Sequence, residues 1–311
     1  MTGQSGLGST MRTEERLTKA YLNARIEPIT DQSKYVFMSD CHRGDGSSSD
    51  EFSHNQNAYI YALYHYFNED ITYVEVGDGD ELWEHKNYRD IKLAHADAFM
   101  AMRMFHENQR LIMIYGNHNI FLNKQDYVIK NLYTCYDKYN ETVFDFLNHL
   151  KPVEALVLKV QKTEQEILIL HGHQGDMAND QTWIFSMLSL RYFWRCMHSF
   201  GFQNPASPVK FTQKRHKIEK NYNKWIEKHK MMLICGHTHR YKYPRLTELP
   251  YFNTGCCIYP TSLTALEIEN GKITLVKWHT IVNEDACLQV TREIITGPSP
   301  ISNFDLRQRK T

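Results

Sequence analysis

Short apolar runs recur along the chain, and most end on a polar, chemically loaded turn. YVFM (35–38), TYVEV (72–76), LIMIY (111–115), EILIL (166–170) and MLIC (232–235) read as buried strands. Between the first three lie helical stripes, Tyr59, Ala62, Leu63, Tyr66 and Phe67 over 53–69, and Ala98, Met102 and Phe105 over 90–108. Strand–helix–strand alternation predicts βαβ units and at least partly parallel pairing. ALVLKV (155–160) and EILIL flank the polar turn QKTEQ as a hairpin, and YFNTG (251–255) precedes a second pair. That pair is LTALEIE (263–269) and KITLVKW (272–278), joined by Asn270-Gly271, a strong hairpin signal. Residues 125–150 read as one or two helices and 12–24 as a short surface helix, while 1–10 and the segment after Pro298 read as disordered.

The interval 177–230 breaks this rhythm. Its first half is apolar on nearly every helical face, with Trp183, Met187, Leu190, Trp194 and Met197 in one stripe. After NPASP comes a basic helix, with eight Lys or Arg against two Glu between 208 and 230. Two helices packed on each other would account for this. So would a cap over a site, or a partner-docking surface at 183–200.

Composition narrows the class. With 311 residues the chain can bury a large core, and a formal charge of +0 gives no bulk attraction to nucleic acid. Seven cysteines form no CxxC pair, which fits free thiols in a reducing compartment. The N-terminus has no signal-peptide core and no run approaches the ~20 apolar residues of a membrane span. A cytoplasmic protein is expected.

The turns carry the chemistry. SDCH (39–42), VGDGDE (76–81), YGNHN (115–119), LHGHQGD (170–176) and CGHTH (235–239) each follow an apolar strand. In open α/β sheets, sites are built at strand ends. Asp, His and Asn donors without thiolates suit Mn, Fe or Zn. Asp40 and His42 put two ligands on one loop, Asp78 offers a carboxylate able to bridge two cations, and His237 and His239 alternate along an extended segment. Two cations ~3.5–4 Å apart clamp a phosphoryl group and acidify a shared water to hydroxide for in-line attack. Such a centre needs about seven ligands, which these turns supply.

At these residues the sequence resembles the calcineurin-like metallophosphoesterase family, from about residue 35 to 282. The resemblance implies a four-layer α/β/β/α sandwich with a dinuclear metal site. It implies a metallophosphoesterase domain over 31–290, an N-terminal tail and short helix over 1–30, a helical cap insertion at about 177–230 and a C-terminal tail over 291–311. Asp40, His42, Asp78 and His239 would hold one metal; Asp78, Asn117, His171 and His237 would hold the other. His118 would be the general acid that assists the leaving group. His171 or His173 could fill the LHGH position; His171 leaves the strand directly and precedes Gly, as in the family, leaving His173 substrate-facing or behind the ligands. The family usually has an acidic residue where this chain has Asn119, which weakens the support expected for His118.

Glu81 and Trp83 in GDGDELW, and HGxxxD at 171–176, resemble the UDP-2,3-diacylglucosamine hydrolase-like branch. Arg43, beside the Asp-x-His pair, is a candidate phosphate contact. The expected activity is hydrolysis of P–O bonds by metal-bound hydroxide, on a phosphodiester, pyrophosphate or nucleotide-linked substrate. An apolar and basic cap suits an amphiphilic substrate and peripheral membrane contact; nucleic acid is disfavoured. The alternatives are a phosphomonoesterase, including a Ser/Thr protein phosphatase-like enzyme, and a non-catalytic scaffold of the same fold. Every expected ligand position is filled, which argues against the scaffold.

Overall fold

The computed structural model describes residues 4–137, 140–174, 176, 184, 187–188 and 212–308. The first three apolar runs form β2 (Tyr35–Met38), β3 (Thr72–Val76) and β4 (Leu111–Ile114), paired in parallel. Their crossovers are α2 (Gln56–Asn68) and the pair α3 (Tyr88–Ala94) and α4 (Ala96–Glu107). On the other side of β2 lie β11 (Ser262–Glu269), β12 (Lys272–Val282) and β13 (Leu288–Pro300), all antiparallel, giving the order β13-β12-β11-β2-β3-β4. Asn270 and Gly271 close β11 onto β12 with φ of 53° and 65°, the left-handed pair that a type I′ turn requires.

The second sheet has the order β1-β7-β8-β9-β10: β1 (Arg25–Ile29), β7 (Ala155–Val160), β8 (Gln165–Leu170), β9 (Met232–Cys235) and β10 (Tyr251–Asn253). The hairpin β7–β8 pairs Val160 with Gln165 around the expected turn. Together the elements make a mixed α/β fold. Among the described residues no helix is long and apolar enough to cross a membrane.

Three apolar clusters hold these elements. One joins α2 and α4 to the six-stranded sheet, through Tyr59, Leu63, Met102 and Phe105 against Val36, Tyr73 and Met113. A second packs the sheets together, with Val74, Val76 and Ile114 against Leu156, Ile169 and Ile234. The third joins α1 (Gln4–Leu22) and α6 (Thr212–His229) to the five-stranded sheet, through Leu17, Tyr222 and Trp225 against Val157, Leu168 and Leu233.

Four expectations change. Residues 4–10 belong to α1, and the helix is no surface appendage, because Leu17 and Ala20 are fully buried. Among the described residues of 125–150 there is the short α5 (Gln125–Val128) and a π-turn before an antiparallel hairpin, β5 (Thr134–Asp137) and β6 (Thr142–Asp145). Residues 299–308 are structured: β13 runs to Pro300, and Ile301 and Phe304 enter the core between the sheets. Finally, the basic half of 177–230 is α6, whose apolar face seals the five-stranded sheet. The stripe from Trp183 to Met197 lies largely outside the described residues.

Candidate metal centre

Ligand-bearing loops leave the C-terminal ends of β2, β3 and β4 in one sheet and of β8 and β9 in the other. Backbone pairing continues past the strands: Asp40 N–H donates to Gly77 O (3.1 Å), His42 N–H to Asp78 O (2.9 Å) and Arg43 N–H to Gly79 O (2.9 Å). This ladder holds the loops 40–43 and 77–79 side by side. Two glycines let the sheets close at this point. A Cβ on Gly77 (φ +80°) would lie 2.5 Å from the His171 ring, and one on Gly236 would lie 2.5 Å from Asp40 Oδ2.

Five of the candidate ligands sit in the left-handed region: Asp40 (φ 53°), His42 (46°), Asp78 (49°), His237 (67°) and His239 (53°). Each such non-glycine position costs about 1–2 kcal/mol. Backbone strain concentrated on functional side chains is the pattern of a pre-organised site.

The side chains converge. Asp40 Oδ1 lies 3.1 Å from His239 Nε2 and 3.8 Å from His42 Nε2, and the two imidazole Nε2 atoms face each other at 3.1 Å. Asp78 Oδ2 lies 2.9 Å from His171 Nε2 and 4.0 Å from His42 Nε2. Three overlapping groups could hold a cation: Asp40–His42–His239, His42–Asp78–His118 and Asp78–His171–His237. His171 offers Nε2 because its Nδ1 bonds Val76 O at 3.0 Å, a partner that can only accept. His173, buried beside it, belongs to none of the three groups among the described residues.

Asn117 supplies the fit test for a metal. Its side chain is fully buried, yet neither Oδ1 nor Nδ2 has a hydrogen-bond partner among the described residues. A buried amide left unpaired costs about 1–3 kcal/mol, which a cation on Oδ1 would recover. Oxygen and imidazole donors of this kind fit Mn, Fe or Zn.

Charge points the same way. Burial opposes ionisation of Asp40 and Asp78, but the neighbouring imidazoles outweigh it and hold both carboxyls far below their usual range. Burial opposes charge on His42 and His171 too; Asp40 and Glu81 raise the first, and Asp78 and Asp40 raise the second. Without metal, the carboxylates thus favour the charged form of these two rings. His173 and His237 move the other way, depressed chiefly by burial, with His171 adding to both.

The neighbouring residues differ from expectation in two places. Arg43 touches no open surface. Its guanidinium is fully buried, bound to Glu75 at 2.7 and 2.9 Å and to Asp80 at 2.8 Å, so it ties the ligand loops together and cannot meet a phosphate. Asn119 accepts from Gly116 N–H at 2.7 Å and thereby shapes its own turn, with no hydrogen bond to His118. Glu81 is the carboxylate that His118 meets, 2.7–2.8 Å from its Nδ1, and it also receives His42 Nδ1 at 2.8 Å. Trp83 stacks on the His118 ring at 4.2 Å between centroids.

Sequence reasoning missed several supports. Ser39 donates to Asp40, as does His237 N–H at 2.9 Å. Asp176 Oδ2 stands 3.7 Å from His237 Nε2, and Tyr222 of α6 donates to Gly172 O. Asp176 is the last residue of the HGxxxD pattern, a signal that was present in the sequence.

No protein-family model matches the chain, and no curated protein matches it in sequence. In structure it is similar to a cold-active protein-tyrosine phosphatase of a psychrophilic Shewanella species (TM-score 0.40, 12% identity, covering 89% of this chain and 84% of that one). It is similar to Vps29 of Chaetomium thermophilum (TM-score 0.36, 10% identity, 86% and 96%). A putative 5′-nucleotidase from Staphylococcus aureus gives a TM-score of 0.34 at 13% identity, over 84% of this chain and 53% of that one. These likenesses are weak, and function is read from the side chains.

Proposed function

We propose that the chain is a dinuclear-metal phosphoesterase on the four-layer α/β/β/α sandwich of the calcineurin-like metallophosphoesterases, with its catalytic unit over 31–290. The three apolar clusters support the layering: helices, sheet, sheet, helices. One observation carries the activity. Two donor groups, Asp40–His42–His239 and Asp78–His171–His237, stand side by side, and the Asp78 carboxylate reaches toward both.

Asp40, His42, His239 and Asp78 would hold one cation, and Asp78, Asn117, His171 and His237 the other. Such a pair activates water and neutralises charge on a transferring phosphoryl group. The chain's own residues do the rest: Glu81 fixes His42 and His118, Trp83 holds the His118 ring flat, and Arg43 braces the loops from beneath. Glu81 and Trp83 together with the HGxxxD pattern support kinship with the UDP-2,3-diacylglucosamine hydrolase-like branch, and the cap expected at about 177–230 is proposed only for the part before α6, which packs on the five-stranded sheet.

The test is hydrolysis of p-nitrophenyl phosphate and its bis-ester with added Mn, using Asp78→Asn as control. Turnover of either ester that disappears in the variant supports the reading, and the preferred ester separates a diesterase from a monoesterase. Metal bound without turnover would favour a scaffold. Failure to bind any metal would sink the proposal.

A further inference from the structure

The hairpin of β12 and β13 outruns its sheet. Phe37 of β2, Leu266 of β11, Leu275 of β12 and Thr296 of β13 lie level with one another across it. Beyond that row, on the side where β2 releases Asp40 and His42, β11 reaches only to Ser262, opposite His279. Among the described residues, 280–282 and 288–290 therefore pair with each other alone. Two strands without a third are marginally stable in water. This stretch also leaves apolar side chains in solvent: Leu288 is 78% exposed, Val282 65% and Ile294 48%.

β13 is an open edge as well, with β12 its one strand neighbour among the described residues. The register is unbroken from Val282↔Leu288 to Val276↔Ile294 and shifts after that. Past the shift come Pro298 and Pro300; irregular register and proline both discourage pairing at an edge. The stretch 288–294 has neither protection. Asn283 N–H donates to Cys287 O at 2.9 Å, which makes these two a hydrogen-bonded pair. Alternation along an antiparallel ladder then turns the N–H and C=O groups of Leu288, Val290, Arg292 and Ile294 outward.

We propose that this edge pairs with the same stretch of a second copy of the chain, antiparallel about a two-fold axis at Thr291, the midpoint of 288–294. A two-fold contact sets residue i against j and j against i. Leu288 then meets the partner's Ile294, Gln289 the partner's Glu293, and Val290 the partner's Arg292. Charge selects this register. An axis at Arg292 would oppose two guanidinium groups directly, and one at Glu293 two carboxylates. With the axis at Thr291 no like charges stand directly opposite. Each charge also keeps its own counter-ion, since Arg292 Nε bonds Glu267 at 2.9 Å and Glu293 meets Lys277 at 2.9 Å. The pairing supplies what the overhang lacks. Each 288–290 segment gains as its third strand the partner's 292–294, a stretch already backed by β12 and β11. An edge contact of this length is small beside the ~1,600 Å² of a standard interface, so the dimer dissociates at micromolar concentration.

Sedimentation equilibrium of the full chain between about 1 and 100 μM should show monomer and dimer exchanging. Ile294→Lys sets a charge against Leu288 at both ends of the contact and should weaken association by about tenfold; urea unfolding checks that this exposed substitution leaves the fold intact. Cross-linking in a Cys287→Ser background, which removes the exposed native thiol, locates the axis. Thr291→Cys should join to its own copy under mild oxidation, because a directly opposed, non-hydrogen-bonded pair brings Cα atoms to about 4.5 Å. Glu293→Cys should not, its two copies standing about 14 Å apart along the strands. A chain that stays monomeric at about 100 μM overturns the proposal and leaves the edge to a strand of another protein. A dimer indifferent to Ile294→Lys overturns the surface. Cross-linking through Glu293→Cys in place of Thr291→Cys overturns the register.

Discussion

Arg43 grips Glu75 through two N–H···O bonds, 2.7 and 2.9 Å long, with both side chains fully buried. Tyr73 donates to the same carboxylate at 3.1 Å, Asp80 takes Arg43 Nε at 2.8 Å, and Tyr88 reaches Asp80 at 2.6 Å. This network lies directly beneath the loops that carry Asp40, His42 and Asp78. Arg43→Met strands two buried carboxylates, and breaking a buried pair in this way costs about 3–5 kcal/mol. Urea unfolding measures it; a loss below about 1 kcal/mol would contradict the bracing role.

Metal uptake should release protons. In the metal-free protein Asp40 and Glu81 raise the pKa of His42, and Asp78 and Asp40 raise that of His171. Both rings bind a proton that a cation must displace, so metal affinity rises with pH above the ordinary imidazole value of about 6.5. These two rings stabilise the metal-free fold fully below about pH 6.5, and that contribution fades as pH rises through their raised values. The depressed carboxyls act oppositely: their contribution is present above about pH 4 and is lost as pH falls toward their folded values. Calorimetry in buffers of different ionisation enthalpy counts the protons. An affinity independent of pH between 6 and 8 would refute the linkage.

Gly77→Ala should remove one of two metals. The new methyl would stand 2.5 Å from the His171 ring at a backbone φ of +80°. Overpacking costs about 1–3 kcal/mol, and the ring can yield only by leaving Asp78 Oδ2. Metal content by elemental analysis should fall by half while the Asp40–His42–His239 group keeps its ion. Full stoichiometry in the variant would show that the ring has room to move.

Phe304 tests the C-terminal correction. It is 1% exposed and meets Phe252 and Tyr243 at ring-centroid distances of 4.9 and 5.9 Å. Phe304→Ala should cost about 3–5 kcal/mol in denaturant unfolding, as expected for a core aromatic. A disordered tail would give no change.

The strands that bear the site were legible because burial on both faces leaves uninterrupted apolar runs such as LIMI and MLIC. Other elements hid behind their exposure. β1 is RIEPI, an edge strand whose burial pattern is mostly exposed and which tolerates Pro28 for that reason. β13 is the edge strand of the other sheet and carries TGPSP, which reads as a loop until β12 pairs with it. The β5–β6 hairpin has strand-favouring residues, TCYD and TVFD, but each strand is only four residues long, β6 is largely exposed, and no Asn-Gly turn joins them. The candidate ligands could be picked out by type and spacing, but their supports could not. Nothing local says that Glu81 meets His42 and His118, 39 and 37 residues away, or that Arg43 turns inward. Those contacts exist only once two loops lie in register.

The ring of donors draws Asp40, His42, Asp78 and Asn117 from one sheet and His171, His237 and His239 from the other. Between the sheets the packing is otherwise apolar, and apolar faces resist separation better than they resist sliding. Cations coordinated from both sides would act as rivets through a laminate, fixing the relative shear of its two plies. Chelation should then speed amide exchange together at the ends of β3, β4, β8 and β9, and leave α2 and α4 protected. Loss of metal would be felt as lost mechanical cohesion as well as lost turnover, with the same ions supplying both.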